Sequence, residues 1–178
     1  MQTIYLLVGS SGSGKSTLGR YIKQMGIPEL ISTTTRPPRK GEVEGENYYF
    51  VTPEEFTRIP MVEFTPYDSN GYVYGTSQAE IDRVSSFSDT CFAIVDREGV
   101  KQYRERFGPI VKVIYIYAPP LELKERMIKR GDPIAKVRQR IRHAIASGES
   151  DNIKLADYCI INKDLESAVK QLEAIVGI

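Results

Sequence analysis

Residues 9–17, Gly9-Ser10-Ser11-Gly12-Ser13-Gly14-Lys15-Ser16-Thr17, constrain this chain more than any other stretch. They satisfy the spacing G-x-x-x-x-G-K-[ST], and the apolar run Ile4-Tyr5-Leu6-Leu7-Val8 just before them reads as a buried strand. A strand that breaks into glycines and reopens as a helix near Lys15 turns successive backbone N–H groups into one concavity, with the positive end of the helix dipole behind them. Such a concavity takes phosphate oxygens. A plain Gly/Ser turn needs neither the lysine nor so long a run of small residues. Lys15 then reaches the β and γ phosphates of a triphosphate such as ATP, and the Ser16 hydroxyl ligates magnesium.

The remaining elements fit a strand–loop–helix beginning. Cys91-Phe92-Ala93-Ile94-Val95 and Ile110 to Ile116 are continuous apolar runs, the pattern of strands buried on both faces, and Tyr158-Cys159-Ile160-Ile161 supplies a last one. Helical spacing is predicted over Thr17 to Gln24, Gly99 to Phe107, Leu121 to Arg130, Lys136 to Ser147 and Leu165 to Val176. The alternation predicts a doubly wound α/β fold of the P-loop NTPase type, a parallel sheet with helices on both faces. From Ser32 to Tyr74 the texture changes to Thr, Pro, Gly, Glu and Tyr, without long apolar strands. An inserted lobe is expected at 32–87, with 1–31 and 88–178 forming the core of a single domain. Within the lobe, Asn47 to Val51 reads as a strand and Thr52-Pro53-Glu54-Glu55 as a capped helix start. Met61 to Thr65 and Tyr72 to Tyr74 read as a hairpin across Asp68-Ser69-Asn70-Gly71, and Ser77-x-x-Glu80 as a second helix cap.

Charge and composition narrow the partners. Lys and Arg number 24 against 23 Asp and Glu, net +1, so no global field exists to hold nucleic acid or a membrane surface. Anionic ligands must be held by local clusters. Cys91 and Cys159 both lie in apolar strand-like runs and are expected to be small buried thiols rather than a disulfide or metal ligands. His143 is the only histidine, so a His-based triad or a multi-histidine zinc site has little to build on, and a helix-surface role is expected. The first apolar run has no basic leader and no later run approaches membrane-spanning length, which points to a cytoplasmic protein; monomer and homodimer both stay open.

A second informative stretch is Ser32-Thr33-Thr34-Thr35-Arg36-Pro37-Pro38-Arg39-Lys40-Gly41-Glu42-Val43-Glu44-Gly45-Glu46-Asn47-Tyr48-Tyr49-Phe50. Arg36 and Arg39 are separated by prolines that stiffen the backbone, which lowers the entropy lost when both guanidinium forks close on one phosphate. Alone, such a loop is more often a solvated turn. Beside a phosphate loop it reads as the second anion site that a phosphoryl acceptor requires.

That stretch resembles the S-x-T-T-R-x-P-R-x-G-E-x-x-G-x-x-Y-x-F signature of nucleoside monophosphate kinases of the guanylate kinase type, and the similarity runs through nearly the whole chain. It continues at Val62-Glu63-Phe64, Tyr74-Gly75-Thr76, Val95-Asp96 with Gly99-Val100-Lys101, Ala118-Pro119-Pro120, Arg130-Gly131 and Ile161-Asn162-Lys163-Asp164-Leu165. The resemblance implies that Arg36, Arg39, Tyr48 and Tyr74 hold the phosphate of GMP, and that Ser32, Glu63 and Thr76 read its base. Guanine offers N1–H and an exocyclic amine on one edge, and a carboxylate accepts both; adenine presents a lone pair there. The resemblance further implies that Asp96 orders magnesium through water, that Arg130 and Arg140 in a lid at about 130–142 contact the transferring phosphoryl group, and that Asn162 borders the adenine of ATP. Asn162 reads equally as a cap for the closing helix. The chain departs from the family pattern at Ile94, where the family carries a second acid.

The basic run from Lys124 to Arg142 lacks aromatic stacking partners and is scattered around more than one helical face, so it reads as lid and solvated charge rather than as a nucleic-acid patch. The expected activity is ATP:GMP phosphotransfer with magnesium. The rival readings are a catalytically weak guanylate-kinase-like domain that binds protein partners, and a same-fold kinase of another phosphorylated acceptor, dGMP among them.

Overall fold

A computed structural model describes residues 1–67, 71–146 and 153–177, with the side chains of residues 67 and 143–146 outside that set. In chain order the elements are β1 (Thr3–Val8), α1 (Lys15–Gln24), β2 (Thr33–Thr34), β3 (Tyr49–Phe50), α2 (Pro53–Phe56), β4 (Met61–Tyr67), β5 (Tyr72–Ser77), α3 (Gln78–Ser85), β6 (Thr90–Ile94), α4 (Arg97–Phe107), β7 (Val111–Tyr117), α5 (Pro120–Lys129), α6 (Ile134–Ala146), β8 (Tyr158–Ile161) and α7 (Leu165–Val176). They gather into two compact units: Met1–Tyr5 with Ile27–Val111, and Leu6–Gly26 with Lys112–Ile178. The turn expected at Asp68, Ser69 and Asn70, the helix end at Ser147 and the side chain of His143 lie outside the described residues.

The first unit holds a four-stranded sheet in the order β3-β2-β5-β4. β2 pairs parallel with β3 and antiparallel with β5, and β4 pairs antiparallel with β5. The hairpin runs further than its sequence pattern predicts, because Gly75 lets β4 and β5 close up: a Cβ there would meet the Glu63 carbonyl and, at 2.8 Å, the Phe64 Cβ. β3 is shorter than the predicted Asn47 to Val51. Residues before it turn instead, with the Gly45 N–H donating to the Tyr48 carbonyl (2.9 Å) and the Val43 N–H to Asn47 Oδ1 (2.8 Å). α2 starts as a full capping box, Thr52 and Glu55 each satisfying the other's backbone N–H. Ser77 caps α3 and Asp96 caps α4. The core of this unit is built on Phe92, Ala93, Val100, Tyr103, Ile81 and Val84, all buried.

In the second unit β7 and β8 pair parallel, Ile114 opposite Tyr158 through Tyr117 opposite Ile161. α1 buries Leu18 and Ile22, and α7 buries Ala168 and Leu172. Burial of such aliphatic side chains contributes roughly 1.5–3 kcal/mol each, which is what holds short helices in place. Cys91 is buried as expected, and burial pushes its thiol up to about 12. Cys159 is exposed, contrary to the sequence reading. Its strand ends the sheet order β6-β1-β7-β8, and an edge strand leaves side chains uncovered that an interior strand would bury. Among the described residues no helix is long and apolar enough to cross a membrane.

Candidate active site

In the second unit, β1 delivers the chain into the glycine loop and α1 leaves it. Gly9 (φ 153°), Gly12 (φ 86°) and Gly14 (φ 102°) take backbone conformations that side-chain-bearing residues rarely adopt. Close approach adds a second requirement: a Cβ on Gly9 would strike the Ile116 carbonyl, and one on Gly14 would strike the Asn162 amide. α1 opens on Gly14 with no side-chain cap and no acidic residue in its first turn, so its positive end is left to a ligand rather than to the protein. The Ser13 hydroxyl is buried without a hydrogen-bond partner among the described residues. The Lys15 ammonium donates to the carbonyls of Gly9 (2.5 Å) and Ser10 (3.1 Å). Ser16 is exposed, and Thr17 is half-buried beside it on the same turn.

Asn162 does not cap the closing helix; Asp164 does, accepting from the Ser167 N–H at 2.8 Å. The Asn162 side chain instead donates to the Ser13 carbonyl at 2.7 Å, bracing the glycine loop from the end of β8. Arg126 in turn donates to the carbonyls of Asn162 (2.8 Å) and Lys163 (3.0 Å). Replacing Gly14 with alanine therefore meets both a left-handed backbone and the Asn162 amide, and is expected to cost of the order of 2 kcal/mol. Thermal unfolding of that variant should shift down by about 4–8 °C.

Arg130 and Arg140 meet on one carboxylate. Asp132 accepts from Arg130 (2.5 Å) and from Arg140 (2.6 Å) through the same oxygen. Arg140 also reaches the Ser11 hydroxyl at 3.5 Å. The two arginines singled out in the sequence are thus brought together, by a neighbour that sequence reasoning passed over.

In the first unit the second set converges. Arg36 is only 7% exposed, and its guanidinium donates to the Tyr74 hydroxyl (2.9 Å), the Pro37 carbonyl (2.7 Å) and Glu42 (2.9 Å), with its carbon 5.3 Å from the Tyr48 ring centre. Tyr48 and Tyr74 stand edge to face, centroids 5.8 Å apart. Burial raises the Tyr48 phenol above its ordinary value, so it stays protonated as a donor. Glu42 was not singled out, yet it accepts from Arg36 with one oxygen and from the Arg39 N–H (2.7 Å) with the other, which holds it below the ordinary carboxylate range. The Arg39 side chain is exposed.

Beside this anchor lies a buried acid. Thr33 stands opposite Gly75 and Glu63 opposite Thr76, so Ser32, Thr76 and Glu63 share one row across β2, β5 and β4. A register shift between Met61 and Glu63 re-aims the strand there. Glu63 is 5% exposed and accepts from the Thr76 hydroxyl at 3.0 Å. Burial, with the Asp96 charge adding to it and the Thr76 hydrogen bond opposing it, lifts the Glu63 carboxyl to about 7. Asp96 takes the Gly99 N–H (2.9 Å) and the Thr65 hydroxyl (3.2 Å) on one oxygen. Its other oxygen accepts from nothing among the described residues.

Comparison with known proteins shows the family and the fold. The family model described as guanylate kinase matches residues 1–177. A guanylate kinase of Synechococcus sp. (strain JA-3-3Ab) is 36% identical, covering 97% of this chain and 81% of its own. One from Haemophilus influenzae (strain 86-028NP) is 37% identical, with 97% and 86% covered. The crystal structure of guanylate kinase from Anaplasma phagocytophilum superposes with a TM-score of 0.75 at 27% identity, over 98% of this chain and 84% of that one. A shikimate kinase from Bacteroides thetaiotaomicron, 18% identical, shares the fold with a TM-score of 0.54 over 99% of each chain. The architecture is accordingly the parallel α/β sheet flanked by helices that P-loop kinases have.

Proposed function

The chain belongs to the guanylate kinase family, and on that footing we propose that it transfers the γ-phosphoryl group of ATP to GMP, giving ADP and GDP. The observation that carries the acceptor assignment is the buried Glu63–Thr76 pair on the same sheet as the Arg36–Tyr74 anchor, a carboxylate for the guanine edge beside a cation for the phosphate.

The donor triphosphate is assigned to the glycine loop, Gly9 to Thr17, with Asn162 bracing it and Lys15 turning from the loop carbonyls to the phosphates. The acceptor is assigned to residues 32–87, with Arg36, Arg39, Tyr48 and Tyr74 on its phosphate and Ser32, Glu63 and Thr76 on its base. Residues 130–142 are read as the lid whose Arg130 and Arg140 leave Asp132 for the moving phosphoryl group. No covalent intermediate is needed. Positioning two bound anions in line supplies roughly 7–11 kcal/mol of barrier lowering, and arginines at the moving group contribute on the order of 10³–10⁵ in rate. We read the enzyme as cytoplasmic, monomeric or homodimeric, with nucleotides rather than nucleic acid or membrane as its partners.

Magnesium fits the residues available. Ser16 is exposed in the first turn of α1, and one Asp96 oxygen accepts from nothing among the described residues, so both offer the hard oxygen donors this ion prefers. Bound there, Ser16 directly and Asp96 through water, the ion would neutralise charge on the phosphates. The protein's own contribution is to hold both nucleotides and keep water away.

The test is a coupled ADP assay with MgATP and a panel of acceptors: GMP, dGMP, AMP and ribose 5-phosphate. Turnover of GMP at about 10³ times the AMP rate or better is expected, since a buried polar reader left unpaired discriminates by up to about 10⁴–10⁵. No turnover of GMP would leave the protein-binding reading in its place.

A further inference from the structure

Glu80 is a buried acid that the phosphotransfer reading leaves unused. It is 2% exposed, and both oxygens are saturated: one accepts from the Ile31 N–H (2.8 Å) and Arg83 Nη2 (2.8 Å), the other from the Tyr49 hydroxyl (3.1 Å) and Arg83 Nε (2.8 Å). Its own N–H donates to the Ser77 hydroxyl at 3.1 Å. Each of these partners other than Arg83 sits next in the chain to a residue assigned to the acceptor. Ile31 precedes Ser32, Tyr49 follows Tyr48, and Ser77 follows Thr76. The Tyr49 N–H closes the set by donating to the Ser32 carbonyl at 2.9 Å.

We infer that Glu80 is a positioning residue for acceptor recognition, its carboxylate tying the Ile31 backbone ahead of Ser32 to the Tyr49 side chain that follows Tyr48, while its backbone N–H, bonded to Ser77, seats it beside Thr76. The inference rests on the acceptor-site assignment above. A helix-surface ion pair between residues three apart would explain Arg83, which is 45% exposed, but not a carboxylate that is itself buried. Taking a carboxylate out of water is costly, and an apolar side chain would seal α3 against β5 at less cost. What an apolar residue cannot do is bond a backbone N–H ahead of β2 and a phenol on β3 at once. The carboxylate sets the spacing of the segments at Ile31 and Tyr49 and touches no substrate.

The experiment compares Glu80→Ala, Glu80→Gln, Tyr49→Phe and, as a reference for the site itself, Arg36→Ala, in steady-state assays varying GMP and ATP separately. Glu80→Ala is expected to raise KM for GMP about tenfold or more, with KM for ATP and kcat at saturating GMP within about twofold of wild type. Tyr49→Phe removes one donor and should raise KM for GMP about threefold. Glu80→Gln keeps the acceptor for Ile31 and should recover part of the loss. Should Glu80→Ala fail to fold, Tyr49→Phe and Glu80→Gln carry the test. An unchanged KM for GMP in the folded variants overturns the inference, as does an equal loss for ATP, which marks general destabilisation. If Arg36→Ala leaves KM for GMP unaltered, the acceptor assignment itself falls; if Arg36→Ala raises it and the Glu80 set does not, only the positioning role falls.

Discussion

Replacing Lys15 with alanine is expected to lower kcat/KM for MgATP-dependent phosphorylation of GMP by about 10³, the upper range for removing one preorganised donor from a site of developing charge. Lys15 is the only cation in the glycine loop, and α1 begins without an acidic residue that would compete for the same ligand. Its ammonium lies on the Gly9 and Ser10 carbonyls, so the side chain is already folded over the concavity it serves. Backbone N–H groups alone can hold a triphosphate, but they cannot follow charge as it moves onto the β–γ bridge. The loss should therefore fall mainly on kcat rather than on KM for ATP. Deleting the ammonium also leaves two carbonyls short of a donor, a cost of roughly 1 kcal/mol, so the variant should melt only a few degrees lower. A coupled ADP assay alongside thermal unfolding separates the two effects. A folded variant that retains kcat/KM within about tenfold of wild type would remove Lys15 from the chemistry.

How far such a site is legible in the sequence depends on how local its causes are. The glycine loop is fully legible because its demands are local: positive φ at Gly12 and Gly14 and a strand feeding a helix follow from a nine-residue pattern. β8 and α7 have the bounds the periodicity predicts, and the capping box at Thr52 forms from four residues. What is not legible arises across distance. Glu42 matters because the turn at Gly41 brings it back onto Arg36, and one glutamate in a loop that also holds Glu44 and Glu46 carries no mark of that. Asp132 is two residues from Arg130, but only the approach of α6 sets Arg140 on it. Cys159 sits in an apolar run that reads as interior, and only strand order reveals an edge. Asn162 reads locally as a helix cap, and nothing near it in sequence announces its contact with Ser13, 149 positions earlier.

Glu63→Gln is expected to be the more informative substitution, because it changes charge without shape. An ionised carboxylate accepts both guanine donors; the amide keeps one acceptor and turns a second donor toward them. Loss of about 10³–10⁴ in kcat/KM for GMP is expected, with AMP turnover little altered, so that selectivity collapses from one side. Acidity supplies a second, independent readout. With the carboxyl lifted to about 7, protonation begins within the working range, and kcat/KM for GMP should fall about tenfold per pH unit below 7. The phosphate of GMP also titrates, near 6, so the measure is the difference: the part of the slope that disappears in Glu63→Gln belongs to Glu63. Stability follows the same proton with a definite sign. The folded protein holds it more tightly than the unfolded chain, whose carboxyl has the ordinary value of 4.5. Below that pH both states are protonated and nothing is lost; between 4.5 and about 7 stability falls as pH rises, and above 7 the full penalty applies, of the order of 3 kcal/mol. Glu63→Gln should accordingly melt higher than wild type at pH 8 and draw level with it near pH 4.5. A variant that melts lower than wild type at pH 8, or that still prefers GMP over AMP as strongly, would mean that the Glu63–Thr76 pair holds β4 to β5 and reads no base.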